Sequence, residues 1–276
     1  MERMMVNIHD FLSKLSEDAK EIFSILQKKG PLTKNDLLLR IGTNLTTLNR
    51  TMQPLEDERI VVEAGIGESS GGRKPVLYDL NPNKFFVLGI DISRPYTQII
   101  IANSKLDIID KQIFAMDDSF TPDKTIRQIG ILFQECITKL NIDKSLFLGV
   151  GLGTVGPLDR DQGIMINPAN FSAPDWAGSP VKTLLQQELG LRVMIDNGAN
   201  TAVLAEHFFG EGKNYQNIAY FHCSVGIRTG AISAGSIVRT INDAEDVFGH
   251  MVIDLVDGEL CWCGNYGCIE CYCSIH

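Results

Sequence analysis

The sequence predicts two parts, a small head of helices and a hairpin over residues 1–82 and a larger α/β body over residues 83–276. Three observations predict them. Three short apolar stripes at helical spacing are followed by two strand-like runs around a polar loop. After the linker Asn81-Pro82-Asn83 come three consecutive strand-like runs, then helices and strands in alternation. Late in the body lies a cysteine cluster, Cys261-Trp262-Cys263-Gly264-Asn265-Tyr266-Gly267-Cys268.

In the head, Leu15, Ala19, Ile22, Phe23 and Leu26 repeat at helical spacing, and Gly30-Pro31 stops that helix. Thr33 caps a second helix, with Asp36 at its third position in a capping-box arrangement, and Ile41-Gly42 marks its end. A third helix sets Leu45, Leu48, Met52 and Leu55 on one stripe. Thr46, Thr47, Asn49, Arg50 and Gln53 are left on its open face. Hydroxyls, an amide and a guanidinium suit phosphates and base edges in a major groove. Ile60-Val61-Val62 and Val76-Leu77-Tyr78 then flank a loop whose tip carries the adjacent cations Arg73 and Lys74. Helix–helix–helix–hairpin is a winged helix-turn-helix and implies a double-stranded DNA partner. A protein-interaction module of the same shape is the alternative. Pro54 argues for modest affinity. It removes a backbone bond to Arg50, at roughly 3 kcal/mol unless the helix kinks, and the acidic run Glu56-Asp57-Glu58 follows.

In the body, residues 85–91, 97–102 and 108–114 are the strand-like runs. Thr121-Pro122 opens a helix with Ile126, Ile129, Leu132, Phe133, Cys136, Ile137 and Leu140 on its buried side. Residues 146–153 read as a buried strand, 181–189 as a helix, 191–195 as a strand and 199–206 as a helix. Residues 218–221 and 229–238 form a strand pair that starts a second lobe. This order describes an α/β fold of the ribonuclease-H-like, actin-and-hexokinase type.

Cys261, Cys263 and Cys268 stand at C-x-C-x4-C spacing, with ten residues between His250 and the first of them. Three thiolates and one imidazole make a closed tetrahedral shell for a structural zinc. Gly264 and Gly267 let the backbone turn tightly between the thiolates. The alternatives are chance clustering or a disulfide. Residues 1–10 carry Glu2, Arg3 and Asp10 and no signal-peptide core, so a cytoplasmic chain with reduced thiols is expected. There a Cys/His cluster points to metal. Cys271 and Cys273 lie just beyond and compete as ligands, whereas Cys136 belongs to the core.

The net charge of −9 argues by itself against wholesale nucleic-acid binding, but it is unevenly placed. Residues 1–84 hold twelve cations and twelve anions, so the excess of acid falls on the body. A neutral head still binds DNA if its basic groups share one face. No apolar run is long enough to span a membrane.

The chain resembles the ROK family (repressors, open reading frames and kinases), on the side of the NagC/Mlc/XylR-type repressors. The resemblance is carried by the wing Gly71-Gly72-Arg73-Lys74-Pro75, the strand start Gly89-Ile90-Asp91, and the loop Gly149-Val150-Gly151-Leu152-Gly153 with Pro157-Leu158-Asp159. Asn167-Pro168-Ala169-Asn170, the turn Asp196-Asn197-Gly198-Ala199-Asn200, Gly249-His250 and the cysteine knot ending in Glu270 complete it.

The resemblance implies a sugar-kinase-like body that has lost its chemistry. The family's kinases hold ATP phosphates on an Asp-x-Gly turn and on a glycine-rich turn of the second lobe. Here these read Asp91-Ile92-Ser93-Arg94-Pro95, without that glycine, and Ser224-Val225-Gly226-Ile227-Arg228, with an arginine where a small residue is expected. The kinases' catalytic aspartate falls on Gly198, which cannot accept a proton, and Asp196 is displaced from that position. Asn170, Asn197, His250 and Glu270 match sugar-contacting positions, with His250 turning one ring nitrogen to zinc and the other to the ligand. The family's glutamate three residues before that histidine is Val247.

The family's further helices beyond the segment matched by Glu270-Cys271-Tyr272-Cys273-Ser274 are not in this sequence, so the body is read as C-terminally shortened. An open lobe exposes apolar surface and favours association. The expectation is a non-enzymatic repressor of carbohydrate-metabolism genes. It is expected to bind an operator and a sugar or sugar-phosphate effector, and to form a homo-oligomer if the shortened body permits. A sugar kinase with an accessory head and a truncated remnant are the other readings.

Overall fold

The computed structural model describes residues 8–68, 74–168, 171–239 and 248–275. Two compact units emerge. One joins residues 1–88 to 100–111 and 136–149; the other joins 89–99, 112–135 and 150–276.

In the first unit, helix α1 (Ile8–Ser13) precedes three helices that the local sequence dictates. Helix α2 (Glu17–Lys29) starts where the Ser16 hydroxyl accepts the Ala19 N–H at 3.3 Å and ends at Gly30. Its buried Ala19, Ile22 and Leu26 hold the expected spacing. Helix α3 (Lys34–Ile41) opens on the predicted capping box between Thr33 and Asp36 and closes at Gly42, whose φ of 71° suits glycine. Helix α4 (Leu45–Asp57) is capped by Asn44, whose side-chain oxygen accepts the Thr47 N–H. Leu48, Met52 and Leu55 are fully buried. Leu45, expected on the same stripe, is 51% exposed, because it is the first helical residue and precedes the buried turn. The helix continues through Pro54 to Asp57.

Strands β1 (Leu32–Thr33), β2 (Val61–Ile66) and β3 (Val76–Leu80) form an antiparallel sheet in the order β1-β3-β2. The two-residue β1 pairs with β3 through Leu32–Tyr78 and Thr33–Leu77, a pairing too short to register as a strand pattern. The hairpin tip, including Arg73, lies outside the described residues. Leu37, Leu48, Met52, Leu55, Ile60 and Leu80 form the centre of one core with α2, and Phe23 stacks on Phe85 at 5.8 Å.

The stretch expected to be a linker is tied down. The Asn81 N–H donates to Ile60 O at 2.8 Å, and its carbonyl accepts from the Ser104 hydroxyl. The Gln27 amide donates to Ser104 O at 3.0 Å, and Lys105 Nζ lies 2.6 Å from both Asp79 oxygens. A turn of the body thus belongs to the same unit as the head.

The body's five-stranded sheet has the order β10-β7-β4-β5-β6, from β4 (Phe86–Ile92), β5 (Tyr96–Asn103), β6 (Ile108–Ala115), β7 (Phe147–Thr154) and β10 (Val193–Asn197). Strands β7 and β10 are parallel, with Val193 beside Val150 and Asn197 beside Thr154. Helix α5 (Pro122–Leu140) opens at the predicted proline and buries Ile126, Ile129, Phe133, Cys136 and Ile137. A small ribbon of β8 (Leu158–Asp159) and β9 (Ile164–Met165) precedes α6 (Val181–Leu189).

In the second unit, α7 (Gly198–Phe208) follows β10 directly. The sequence expected two strands in the second lobe, whereas three form in the order β11-β12-β13. Strand β11 (Ile218–Cys223) pairs with β12 (Ile227–Ser233), and the chain turns at Ala234-Gly235 into β13 (Ser236–Ile237). A left-handed alanine-glycine pair divides what reads as one apolar run. Gly230 lets β12 meet α7, since a Cβ there would stand 2.5 Å from Ala199 O. The short helix α8 (Ile269–Cys273) follows the cysteine loop.

Candidate functional site

The cysteine loop turns at Gly264 and Gly267, whose φ values of 91° and 74° lie in the region that favours glycine. Gly267 N–H donates to Glu259 O, and Cys261 N–H to Asn265 O, both at 2.8 Å. A Cβ on Gly267 would overlap Asp254 O. This fold brings His250, Cys261, Cys263 and Cys268 together, with their donor atoms within 4.8 Å of one another. His250 Nδ1 lies 3.5 Å from Cys261 Sγ, and Cys263 Sγ lies 3.7 Å from Cys268 Sγ. Cys261 and Cys268 are buried, Cys263 is exposed and His250 is half-buried. Burial pushes the Cys261 thiol up to about 12 and raises that of Cys268. Such a donor set can hold a metal ion.

Trp262, inside the C-x-C step, links this cluster to Glu270. Its ring meets that of His250 edge-on at 4.8 Å, and its indole N–H donates to Glu270 Oε1. The other carboxylate oxygen accepts the Ile227 N–H at 2.8 Å. Gly226 and Gly249 leave room for that carboxylate, since a Cβ on either would come within 3.1 Å of Glu270 Oε2. Glu270 therefore braces the turn matched to a phosphate site in the family's kinases. Sequence reasoning missed Trp262, although its place between two cysteines was a signal.

Asn197 is fully buried at the start of α7. Its side-chain oxygen accepts the Ala199 N–H at 2.9 Å, while Nδ2 has no hydrogen-bond partner. Asp196 beside it meets Arg239 in a two-pronged pair, at 2.7 and 2.6 Å, and accepts from Asn200 at 3.1 Å. Burial alone would raise the Asp196 carboxyl, but these donors together hold it below its ordinary value. Arg239 is distant in sequence, and no local pattern announces it. At the end of β4, burial pushes the Asp91 carboxyl up to about 6, with the Tyr96 hydroxyl opposing the shift. Asn170 and Val247 lie outside the described residues.

On α4, Thr46, Asn49, Arg50 and Gln53 are exposed and Thr47 is half-buried. Asn49 Oδ1 accepts from Lys34 Nζ at 2.8 Å, and the Gln53 amide donates to Asp57 at 2.8 Å. Lys34, missed in the sequence, also lies over the Tyr78 ring at 4.9 Å and 3.6 Å from Glu56. Lys74 is exposed at the edge of the hairpin tip.

A mixed α/β body of the actin-like class, with a Cys/His cluster and an asparagine-capped helix, defines the kind of protein. The ROK family model matches residues 87–276, and the chain belongs to the ROK family. The xylose repressor of Bacillus subtilis (strain 168) is 30% identical over 264 residues, 96% of this chain and 67% of that protein. A glucokinase of Thermotoga maritima is 34% identical over 125 residues, 45% of this chain and 38% of the enzyme. The crystal structure of a ROK family transcriptional regulator, a homologue of the E. coli Mlc protein, superposes with a TM-score of 0.71 at 20% identity. It covers 93% of this chain and 64% of that one. The chain spans 58–67% of the length of the xylose repressors it matches. Among the described residues no helix is long and apolar enough to cross a membrane.

Proposed function

We propose that the chain is a cytoplasmic, DNA-binding repressor of carbohydrate-metabolism genes. Residues 1–82 serve as a winged helix-turn-helix domain and residues 83–276 as a ROK sensor domain without kinase chemistry. The observation that carries this reading is α4, a helix with Leu48, Met52 and Leu55 fully buried and Asn49, Arg50 and Gln53 exposed on the other face. An amide suits adenine and a guanidinium suits guanine, each worth about 1–3 kcal/mol of discrimination. Thr46, Thr47, Arg73 and Lys74 supply phosphate contacts, whose contribution falls with salt. The likeness to xylose repressors, which extends over 96% of the chain, supports the same assignment.

The body is read as a sugar sensor. Asn197 offers a buried Nδ2 that has no hydrogen-bond partner to a ligand hydroxyl, and Asn170, His250 and Glu270 complete the effector site. Zinc suits the four-donor cluster. Metal–sulfur bonds of about 2.3 Å in a tetrahedron give sulfur–sulfur edges of about 3.8 Å. The Cys263–Cys268 separation of 3.7 Å matches such an edge. His250 Nδ1 faces the thiols, which leaves Nε2 for the effector. When bound, zinc would hold the imidazole and the Trp262–Glu270 brace in place. Two copies joined through the body would give the paired heads an operator needs.

A sugar kinase is the second reading, favoured by the glucokinase likeness. Gly198 supplies no base, and Arg239 occupies Asp196 through both oxygens. Loss of a base removes about 10²–10⁴ in rate. Gel-shift titration on matched and scrambled operators at two salt concentrations tests the repressor. Arg50→Ala is expected to lower sequence preference about 5–100-fold, and Lys74→Ala to weaken both DNAs equally. Absence of DNA binding, or turnover of ATP with a hexose at ordinary enzyme rates, overturns the assignment.

A further inference from the structure

We propose that Lys34 is a positioning residue for base readout: by holding the side-chain oxygen of Asn49, it turns that amide into a donor that selects guanine over adenine. This rests on the reading of α4 as the helix that faces DNA, and it narrows that reading at one contact.

The geometry joins three elements of the head. Lys34 is the first residue of α3, and Asn49 and Glu56 lie seven residues apart on α4. Seven residues are close to two full turns, so Asn49 and Glu56 share one face of the helix. Lys34 reaches both. Its Nζ donates to Asn49 Oδ1 at 2.8 Å and stands 3.6 Å from Glu56 Oε1. The same ammonium lies 4.9 Å from the centroid of the Tyr78 ring on β3. Glu56 Oε1 is buried and makes no hydrogen bond, so the lysine charge beside it offsets the burial of that carboxylate. Carboxylate and ring anchor the ammonium at the place where it meets Asn49. Lys34 and Glu56 are half-buried, whereas Asn49 is exposed.

The chemistry of the pair fixes what Asn49 can offer. An ammonium only donates, so the amide atom that faces it is the oxygen. The amide nitrogen, with its two hydrogens, is left for a base. Reading adenine takes both ends of an asparagine amide, the nitrogen donating to N7 while the oxygen accepts from the N6 amino group. Here the oxygen is held, and the cation beside it opposes the approach of a second donor. Guanine presents two acceptors, N7 and O6, on the same edge of the major groove. Thymine presents a single acceptor, O4, beside its methyl group. A donor-only amide therefore fits guanine best. The selectivity comes from a residue outside α4, through the side chain it holds.

Selection of bound sites from random-sequence DNA by the full chain tests this. The unmutated chain is expected to enrich guanine at one position that Asn49→Ala leaves degenerate. Lys34→Met should move that position toward adenine, changing the guanine-to-adenine ratio at least about fivefold, with the other positions unchanged. In the Asn49→Ala background, Lys34→Met should add no change there. Lys34→Met/Glu56→Gln replaces Lys34→Met if loss of the ammonium beside Glu56 leaves the chain unfolded by circular dichroism. Adenine at the Asn49 position of the unmutated chain overturns the proposal, as does a guanine preference that survives Lys34→Met. A loss spread evenly over all positions also overturns it, because Lys34 would then be a structural or phosphate contact alone. So does an Asn49→Ala variant that selects the same sites as the unmutated chain. An unmutated chain that enriches no sequence would instead overturn the DNA reading itself.

Discussion

The helical head and the cysteine loop are held together by opposite means. In the head, eleven buried apolar residues from α2, α3, α4 and the adjoining strands share one core. Across the described residues 248–275 the buried apolar side chains are the thiols of Cys261 and Cys268. Leu255 and Val256 are 89% and 88% exposed, and Leu260, Trp262 and Tyr266 are all more than half exposed. A segment with so little apolar burial cannot offset the entropy of ordering its backbone. The head is held by an ordinary hydrophobic core, whereas the loop has a Cys/His donor set in place of one. The difference teaches that the two regions answer to different perturbations.

The largest effect should come from breaking the loop's donor set. Structural zinc contributes on the order of 10 kcal/mol to such sites. Cys268→Ser should abolish stoichiometric metal and open residues 248–275 to proteolysis, while α2, α3 and α4 stay protected. Metal analysis with mapped cleavage sites checks this. Loss of protection in the head as well would show that the two regions are not independent.

Leu48→Ala applies the converse test. Leu48 is fully buried between the helices, so its truncation should cost about 2–5 kcal/mol in urea unfolding. Metal content should not change. A fall in zinc with Leu48→Ala would again break the contrast.

A smaller effect is expected at Asp91, where burial rather than a donor set dictates the state of the side chain. Its carboxyl is raised to about 6 from an ordinary 3.8, so the folded chain holds a proton that the unfolded chain releases. The contribution of this group to stability is therefore highest below about pH 4, falls as pH rises toward 6 and stays low above it. Asp91→Asn should stabilise the protein at pH 7 by up to about 3 kcal/mol, and the gain should vanish near pH 4. Paired denaturation curves at the two pH values read this directly. A gain that persists at pH 4 would assign the effect to packing.

Much of the molecule is legible along the chain because its signals are local. Thr33 and Asp36 form the capping box their spacing implies, Gly42 closes its helix in the left-handed conformation, and Pro122 opens α5. The cysteine spacing points to Cys261, Cys263 and Cys268, and the fold brings these three together with His250, since a C-x-C-x4-C loop with two glycines can turn in few ways. Periodicity carries the burial of Leu48, Met52 and Leu55, because helical geometry places every third or fourth residue on one side.

What only the tertiary structure decided lies between residues far apart in sequence. Lys105 meets Asp79, Arg239 takes both oxygens of Asp196, and Trp262 reaches Glu270 beside Ile227. The seven-residue interval between Trp262 and Glu270 carries no fixed periodicity, and Asp196 and Arg239 are separated by two helical elements and three strands. A side chain chooses such a partner by direction and distance after the backbone has folded, so composition and spacing hold no record of the choice. The same reason explains Leu45. Its place on the stripe is written in the sequence, but its exposure depends on what stands opposite the first turn of α4.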